Sequence, residues 1–565
     1  MTSKALIVSV SLILVVGIVN GAVVVGINHN GHSLGDKSLS TNMKAVEAIC
    51  SPASFKDKCM SAIAPVAANS SASPKDYLRA VLAETIEAMK AGLETSHTIK
   101  IKNLMRYDQL ALDECKTFIQ YAVEDLQDAL AMLDDNELHV VHDQVDEFKN
   151  WFGAVVAFQE TCFEQIENPD LKDGIADGLH NATLLTINAL DIFSELSTIL
   201  VGLDIPLNLN PNHRKLLSVG HLDEHGYPHW LSEEDRRLLE DVALPVPDAI
   251  VSANGSGPGQ FNTVADALAS YPNQLPLNKK FVIYVMAGTY KEVNLTVQSN
   301  QSNVFMYGDG TDKTIITGDK NVKNQGIPTS QTPSFTVLGP FFVAKSIKFE
   351  NIAGPEGGQA VALRVQADMS AFFRCKMEGY QDTLYAHTYR QFYRECEISG
   401  TIDFVFGMSS TVIQNSQIIV RKPLPNQQNV VSADGSNSTI VGGLVFQNCS
   451  IVPAPELLAV KNTTQTFLGR PWRDHATDIF MQSYIEDFID PSGFMIWDKD
   501  TPNNETCFFA EYANTGPGAR TDGRVNWTCH HVFTDGNALI DYTVGPFINN
   551  GSWLESTGIP FSVGF

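Results

Sequence analysis

Basic side chains are scarce in this chain. Lys and Arg number 39 against 64 Asp and Glu, for a formal net charge of −25. Residues 1–239 carry 18 basic and 33 acidic side chains (−15), and residues 240–565 carry 21 and 31 (−10). With both halves acidic, nucleic acid is excluded as a partner, since phosphate binding needs a basic face. The same sign opposes simple electrostatic attraction of a polyanion. The Gly-x-Ser-x-Gly match, Gly31-His32-Ser33-Leu34-Gly35, falls in the Gly-, Asn- and Ser-rich stretch after the N-terminal apolar run and lacks the strand-turn-helix sequence context of a nucleophile elbow, so it does not support a serine-hydrolase nucleophile. Metal-ligand spacing occurs in His221-Leu222-Asp223-Glu224-His225 with His229, but that run lies in a proline-broken segment with no helical pattern to present it, and His97, His139 and His142 form no such cluster. Neither a metal nor an organic cofactor is therefore expected, and any reaction falls to ordinary side chains.

What remains is globular: 44% hydrophobic and 18% charged over 565 residues, enough for more than one domain. Lys4 precedes a run from Ala5 to Ile27 whose only polar interruptions are Ser9, Ser11 and Asn20. A signal-peptide core takes ~7–15 residues and a spanning helix ~20. Residues 1–27 are thus a signal peptide or a signal anchor, and any membrane contact runs through them alone. Either reading sends the chain into the secretory pathway. Eleven Asn-x-Ser/Thr sequons agree with that compartment. Apolar neighbours suggest burial for two of them, Asn448 and Asn526.

Residues 44–201 read as helical. Leu78, Val81, Leu82, Thr85, Ile86 and Met89 recur at a 3.6-residue period, as do Leu112, Cys115, Phe118, Ile119, Ala122, Leu126 and Leu130. Spans 76–93, 110–133, 140–165 and 171–200 make four amphipathic helices, whose natural packing is an up-and-down bundle. Cys50, Cys59, Cys115 and Cys162 fall here. An even set in a secreted chain suggests bridges, and the sequence leaves all three pairings open. Residues 202–247 are a proline-broken linker holding Arg214-Lys215-Leu216-Leu217 and Arg236-Arg237-Leu238-Leu239, dibasic sites suited to proteolytic processing.

From residue 248 to 565 short β-branched runs replace helical stripes. A weak repeat, Ile347-Lys348-Phe349-Glu350-Asn351, Ile413-Gln414-Asn415 and Phe446-Gln447-Asn448, places an Asn after a strand, where amides of a solenoid can stack. The expectation is a right-handed parallel β-helix capped by one short helix over 263–270. Polar groups recur at nearly one interval: Gln359, then Asp382, then Asp403. One turn apart they would lie about 4.8 Å from each other on one outer face. Asp403 sits in Gly400-Thr401-Ile402-Asp403-Phe404-Val405-Phe406-Gly407, which reads as a buried strand. Two neighbouring carboxylates cannot share one environment; one ionises and the other holds a proton.

Five motifs in register carry a resemblance: Gly288-Thr289-Tyr290-Lys291-Glu292, Gln359-Ala360-Val361-Ala362, Gly379-Tyr380-Gln381-Asp382-Thr383-Leu384, Asp403-Phe404-Val405-Phe406-Gly407 and Leu468-Gly469-Arg470-Pro471-Trp472. The chain resembles plant pectin methylesterases that carry an N-terminal inhibitor-like pro-region, from about residue 44 to the C-terminus. The resemblance implies a carboxylic ester hydrolase acting on methyl-esterified galacturonan (pectin) in the cell wall and releasing methanol. Asp403 would be the nucleophile, Asp382 the acid/base, and Gln381 with Gln359 donors to the oxyanion. Arg470 would hold Asp403, and Trp472 and, more weakly, Thr289 would contact substrate. The resemblance also implies bridges Cys50–Cys59 and Cys115–Cys162, removal of an autoinhibitory pro-region by a subtilisin-like protease, and secretion to the wall. Tyr290 and Glu292 read as structural, and Tyr385 and Phe404 as aromatics beside the cleft or in packing. Ser416 departs from the family pattern, which often has cysteine there.

Two other readings compete. A β-helix glycosidase or lyase would also use carboxylates, but it gives no role to paired glutamines and an Arg beside the nucleophile. Alternatively, the chain is a catalytically impaired homologue acting mainly as an inhibitor-like binding protein.

Overall fold

The computed structural model describes residues 41–99, 101, 104–203, 205, 245–252, 257–276, 279–437, 442–549 and 551–565. The Ala5–Ile27 run and both dibasic tetrapeptides lie outside them.

Four long helices form the N-terminal body: α1 (Pro74–Thr98), α2 (Arg106–Asp135), α3 (Val145–Gln165) and α4 (Pro169–Ser194). Ser73 and Asp76 close a capping box ahead of α1, and Pro74 opens its first turn. Asn168 caps α4 by accepting from the Leu171 amide at 3.0 Å. The apolar stripes turn inward, with Val81, Leu82, Met89, Ile119, Leu126 and Phe152 fully buried. Two of the four expected helices are each broken in two. Leu138–Asp143 precedes α3, and Leu196–Gly202 follows α4 after a 65° bend. Gln144 and Glu195 adopt ψ near zero at the breaks. The bend keeps Leu196, Ile199 and Leu200 in the core, so the hydrophobic period runs on across it. Cys50–Cys59 and Cys115–Cys162 are bonded; the second ties α2 to α3.

The C-terminal body is a parallel β-helix of three sheets with 12, 8 and 7 strands. The central turns place one short strand in each sheet, and the turns at either end add strands to the 12-stranded sheet alone. Its interior holds an aromatic file in which Phe335, Phe349, Phe372 and Tyr393 meet ring to ring, the last pair at 4.9 Å. Helix Val264–Ala269 caps the first turns, with Val264, Ala267 and Leu268 buried. Glu292 accepts from the Val264 and Ala265 amides, a carboxylate at a helix N-terminus. The structural reading of Glu292 therefore holds.

Corners between strands repeatedly use the left-handed region: Arg374, Glu395, Asn415 and Asn448 have φ of 51°, 50°, 53° and 52°. Asn448 donates to Asn415 across one turn at 3.0 Å, the stacked amide that the repeat suggested. Asn351 does not join it; it ends strand Lys348–Asn351 in another sheet and donates to backbone carbonyls there. Asn448 and Asn526 are exposed, not buried, because both fall on corners outside the strand faces. Cys507 and Cys529 form a further bridge. Cys375, Cys396 and Cys449 are free and buried, and Ser416 Oγ accepts from the Cys396 amide at 3.0 Å.

The seven-stranded sheet carries the cleft. Its strands β1 (Leu363–Gln366), β2 (Leu384–Thr388), β3 (Val405–Gly407), β4 (Asn429–Asp434) and β5 (Thr466–Gly469) lie side by side. Helices α2 and α3 cover the outer face.

Candidate active site

Gly400–Gly407 is not one continuous strand. Strand Glu397–Gly400 ends, the chain turns through Thr401–Phe404, and β3 begins at Val405. Asp403 sits in that corner with φ 48°, and Asp382 occupies the matching corner before β2 with φ 62°. Asp tolerates this region better than most residues, because its short polar side chain can bond locally. A strand position would point Asp403 either into the aromatic file or straight outward. The corner instead turns it along the sheet edge, toward the cleft. Leu384 pairs with Val405, so the two aspartates stand one turn apart, and the Asp382 amide donates to the Ile402 carbonyl at 3.0 Å.

Arg470 follows β5 and grips Asp403 with two bonds: Nε to Oδ1 at 2.8 Å and Nη2 to Oδ2 at 2.5 Å. Such a bidentate pair fixes the carboxylate plane and sets a guanidinium against both of its oxygens. The guanidinium lies 4.2 Å from the Trp497 ring centre. Among the described residues Asp382 has no such partner. Burial first, then the Asp403 charge, pushes its carboxyl well above the ordinary carboxylate range, with Arg470 pulling the other way. One carboxylate gripped by a guanidinium and one carboxyl held neutral, side by side, can act as nucleophile and acid.

Gln359 and Gln381 line the same cavity, of about 280 Å³. Among the described residues their side-chain amides make no hydrogen bond. Amides stacked in a ladder would be paired, so these remain available to an oxyanion. The floor is apolar: Tyr385, Phe406 and Ala433 stand in register on β2, β3 and β4. Phe404 points into the core, and Phe406, two residues on, faces the cleft instead. Trp472 meets Phe406 edge-on at 6.0 Å and stacks near Trp497 at 6.3 Å. Trp497 escaped the sequence reading because no motif surrounds it; it arrives on the long connection between strands Tyr484–Ile485 and Phe508–Tyr512.

Thr289 is the site expectation that the fold separates from the rest. It lies exposed on Gly288–Lys291, an edge strand of the eight-stranded sheet, and does not line the cavity. The strand's own sheet assignment, invisible in a local motif, decides this.

The bundle closes the cavity from above. Glu164 of α3 accepts from Trp472 Nε1 at 2.8 Å and pairs with Arg473 at 2.8 Å. Glu147 takes Arg390 bidentately at 2.9 and 2.7 Å, and Tyr389 donates to both oxygens of Asp125. His387, buried between Phe118 and Tyr385, meets Thr161 Oγ1 at 2.9 Å. Burial and the Arg364 charge hold His387 well below the ordinary imidazole range, so it is neutral.

Comparison with known proteins matches these two bodies to two families. Residues 248–552 match the pectinesterase family model, and residues 44–192 match that of the plant invertase/pectin methylesterase inhibitor. Among relatives, the chain is 35% identical to the probable pectinesterase/pectinesterase inhibitor 21 of Arabidopsis thaliana, over 99% of this chain and 82% of that one. Pectinesterase 5 of Arabidopsis thaliana is 34% identical with both chains fully covered. Among solved structures, pectin methylesterase from carrot is 40% identical with a TM-score of 0.55, covering 57% of this chain and 99% of its own. By its matched domain, its relatives and its fold, this chain belongs to the pectinesterase family.

Proposed function

We propose that the chain removes methyl groups from methyl-esterified galacturonan in the plant cell wall. The observation that carries this is the pairing of Arg470-held Asp403 with neutral Asp382 beneath two unpaired glutamine amides. Asp403 attacks the ester carbonyl carbon. The oxyanion receives N–H bonds from Gln381 and Gln359. On collapse the methoxide takes the Asp382 proton and leaves as methanol, giving an acyl-enzyme on Asp403. Asp382, now a carboxylate, takes a proton from water as that water attacks the acyl carbon. The uronic acid departs, Asp403 is free again, and Asp382 has its proton back. Trp472 and Trp497 offer faces for sugar rings. Residues 44–201 act as an autoinhibitory pro-region, removed by a subtilisin-like protease in the 202–247 linker; supporting this, α2 and α3 lie across the catalytic cavity. The enzyme works outside the cell, after secretion.

The test is methanol release from highly esterified pectin by the full chain, intact and after cleavage in the linker. The cleaved chain should release methanol, the intact chain far less, and Asp403→Ala none while keeping its fold. Equal activity in Asp403→Ala and wild type would refute the assignment.

A further inference from the structure

Arg421 holds the corner that carries Gln381 and Asp382, and it does so from two turns away. In the eight-stranded sheet Glu378 pairs with Ser399 and Gly400 with Val420. Tyr380, Thr401 and Arg421 therefore follow as successive rungs, each about 4.8 Å from the next. Thr401 leads into the Asp403 corner, and the Arg421 side chain reaches back across it. Nη1 donates to the Gly379 carbonyl at 2.9 Å and Nη2 to the Tyr380 hydroxyl at 2.8 Å. The guanidinium also lies 3.9 Å from the Tyr380 ring centre, within cation–π range. The Arg421 amide donates to the Gly400 carbonyl at 2.7 Å, and its carbonyl accepts from Asn429 Nδ2 at 3.2 Å. One residue is thus bonded to the lead-in of both catalytic corners.

Ion pairing does not account for this arrangement. Glu378 and Glu456 stand 3.8 and 3.6 Å from the guanidinium, beyond hydrogen-bond length, whereas the bonds to the corner are short. Substrate contact does not account for it either, since Arg421 does not line the cavity. The corner itself needs support from behind. Among the described residues the Gln381 side-chain amide bonds no protein group, so its aim is set by its backbone alone. On one side of that backbone the Gln381 carbonyl accepts from the Ala360 amide at 3.2 Å, and the Asp382 amide is tied to Ile402. On the other side the Tyr380 carbonyl accepts from the Thr401 amide at 2.9 Å and from Thr383 Oγ1 at 3.2 Å. Gly379 has no side chain to add, and a Cβ there would meet Thr383 Oγ1 at 2.7 Å. Arg421 supplies the hold on the Gly379 carbonyl and on the Tyr380 ring.

We propose that Arg421 is a positioning residue for the esterase reaction: its fork, acting through Gly379 and Tyr380, keeps the Gln381 amide aimed at the oxyanion. The inference rests on the esterase reading above and adds to it a residue that touches neither substrate nor the reacting atoms. Lysine cannot replace it, because an ammonium has no planar fork to bond a carbonyl and a hydroxyl at fixed separation.

The experiment uses the full chain cleaved in the linker. Methanol release from highly esterified pectin is measured for wild type, Arg421→Gln, Arg421→Lys and Tyr380→Phe, each with and without Gln381→Ala. Misplacing a reacting group by about 1 Å can cost about 10²-fold in rate. Arg421→Gln should therefore lower kcat by between about tenfold and about 10²-fold with KM unchanged, and Arg421→Lys should do nearly the same. In the Gln381→Ala background Arg421→Gln should lower kcat further by less than about threefold, because the two changes remove one effect. Equal falls in both backgrounds, a rise in KM with kcat kept, or full activity in Arg421→Lys would overturn the proposal. Deuterium exchange over residues 379–384 supplies a reading free of activity: Arg421→Gln should speed exchange there and leave the strands of the β-helix as in wild type. If Arg421→Gln does not fold, Tyr380→Phe, which loses one hydroxyl, decides by the same cycle. If the wild type releases no methanol, the esterase reading fails by itself, and exchange decides the hold on the corner: faster exchange upholds it and unchanged exchange overturns it.

Discussion

At the scale of single residues, the decisive contrast is between two aspartates that differ only in company. Asp403 has a guanidinium on both oxygens, whereas Asp382 has burial and a like charge. Neither the residue type nor the backbone corner distinguishes them, since both have left-handed φ. The two glutamines are half-buried on the cavity wall, and among the described residues their side-chain amides bond no protein group, which leaves them open to a ligand oxygen. Gln381→Ala should therefore lower kcat for methanol release about 10²–10³-fold, the usual cost of one oxyanion donor. Little change in KM is expected. An unchanged kcat would return Gln381 to a structural role.

Among elements, β4 and strand Thr477–Met481 hold a second acid pair that the chemistry does not use. Asp434 accepts from the Thr477 amide at 2.8 Å, and Asp478 from Ser432 Oγ at 2.8 Å. Both are fully buried. Burial pushes Asp434 up to about 7 and Asp478 well above the ordinary range, the latter with help from the Asp434 charge. A carboxyl whose value is raised on folding binds its proton more tightly folded than unfolded. Its contribution is complete below the unfolded value and is lost as pH rises toward the folded one. The melting temperature should therefore fall between about pH 4 and 7, at up to about 1.4 kcal/mol per pH unit for Asp434. Asp434→Asn, which keeps an acceptor but cannot ionise, should flatten that decline. A variant profile as steep as wild type would assign the slope to other groups.

For the whole molecule, the bundle seats on the β-helix through acids facing bases, Glu114, Glu147, Glu160 and Glu164 against Arg364, Arg390 and Arg473. Two bundle carboxyls are nonetheless pushed up by the burial that seating imposes: Asp125 well above its ordinary value, and Glu164 to a lesser extent because Arg473 and Trp472 lower it. Asp382 beneath them is raised as well, in part by Glu164. Seating therefore takes up protons. After cleavage in the linker, the bundle should stay bound near pH 5 and dissociate more readily toward pH 8, as size-exclusion chromatography across that range would show. Tighter association at the higher pH would mean that the ion pairs, not the buried carboxyls, govern release.

Much of the architecture was legible because it depends on local rules. The 3.6-residue stripes mark the bundle helices, and the change to β-branched runs marks the β-helix. The spacing of Gln359, Asp382 and Asp403 places them on successive turns. Arg470 and Trp472 travel with a motif, so they too were accessible. Other features depend on contacts between distant segments, which no local pattern encodes. The breaks at Gln144 and Glu195 answer to packing, and the corner geometry of Asp403 answers to the turn repeat of the solenoid. Thr289 was assigned by its motif and separated from the cavity by its sheet. Trp497 entered the site on a loop. Above all, the partners of Glu114, Glu147 and Glu164 lie more than two hundred residues away in the chain. Periodicity fixes which face of a segment is buried, because burial is decided by neighbours three or four residues off. Which acid meets which base is decided only when two finished bodies pack together.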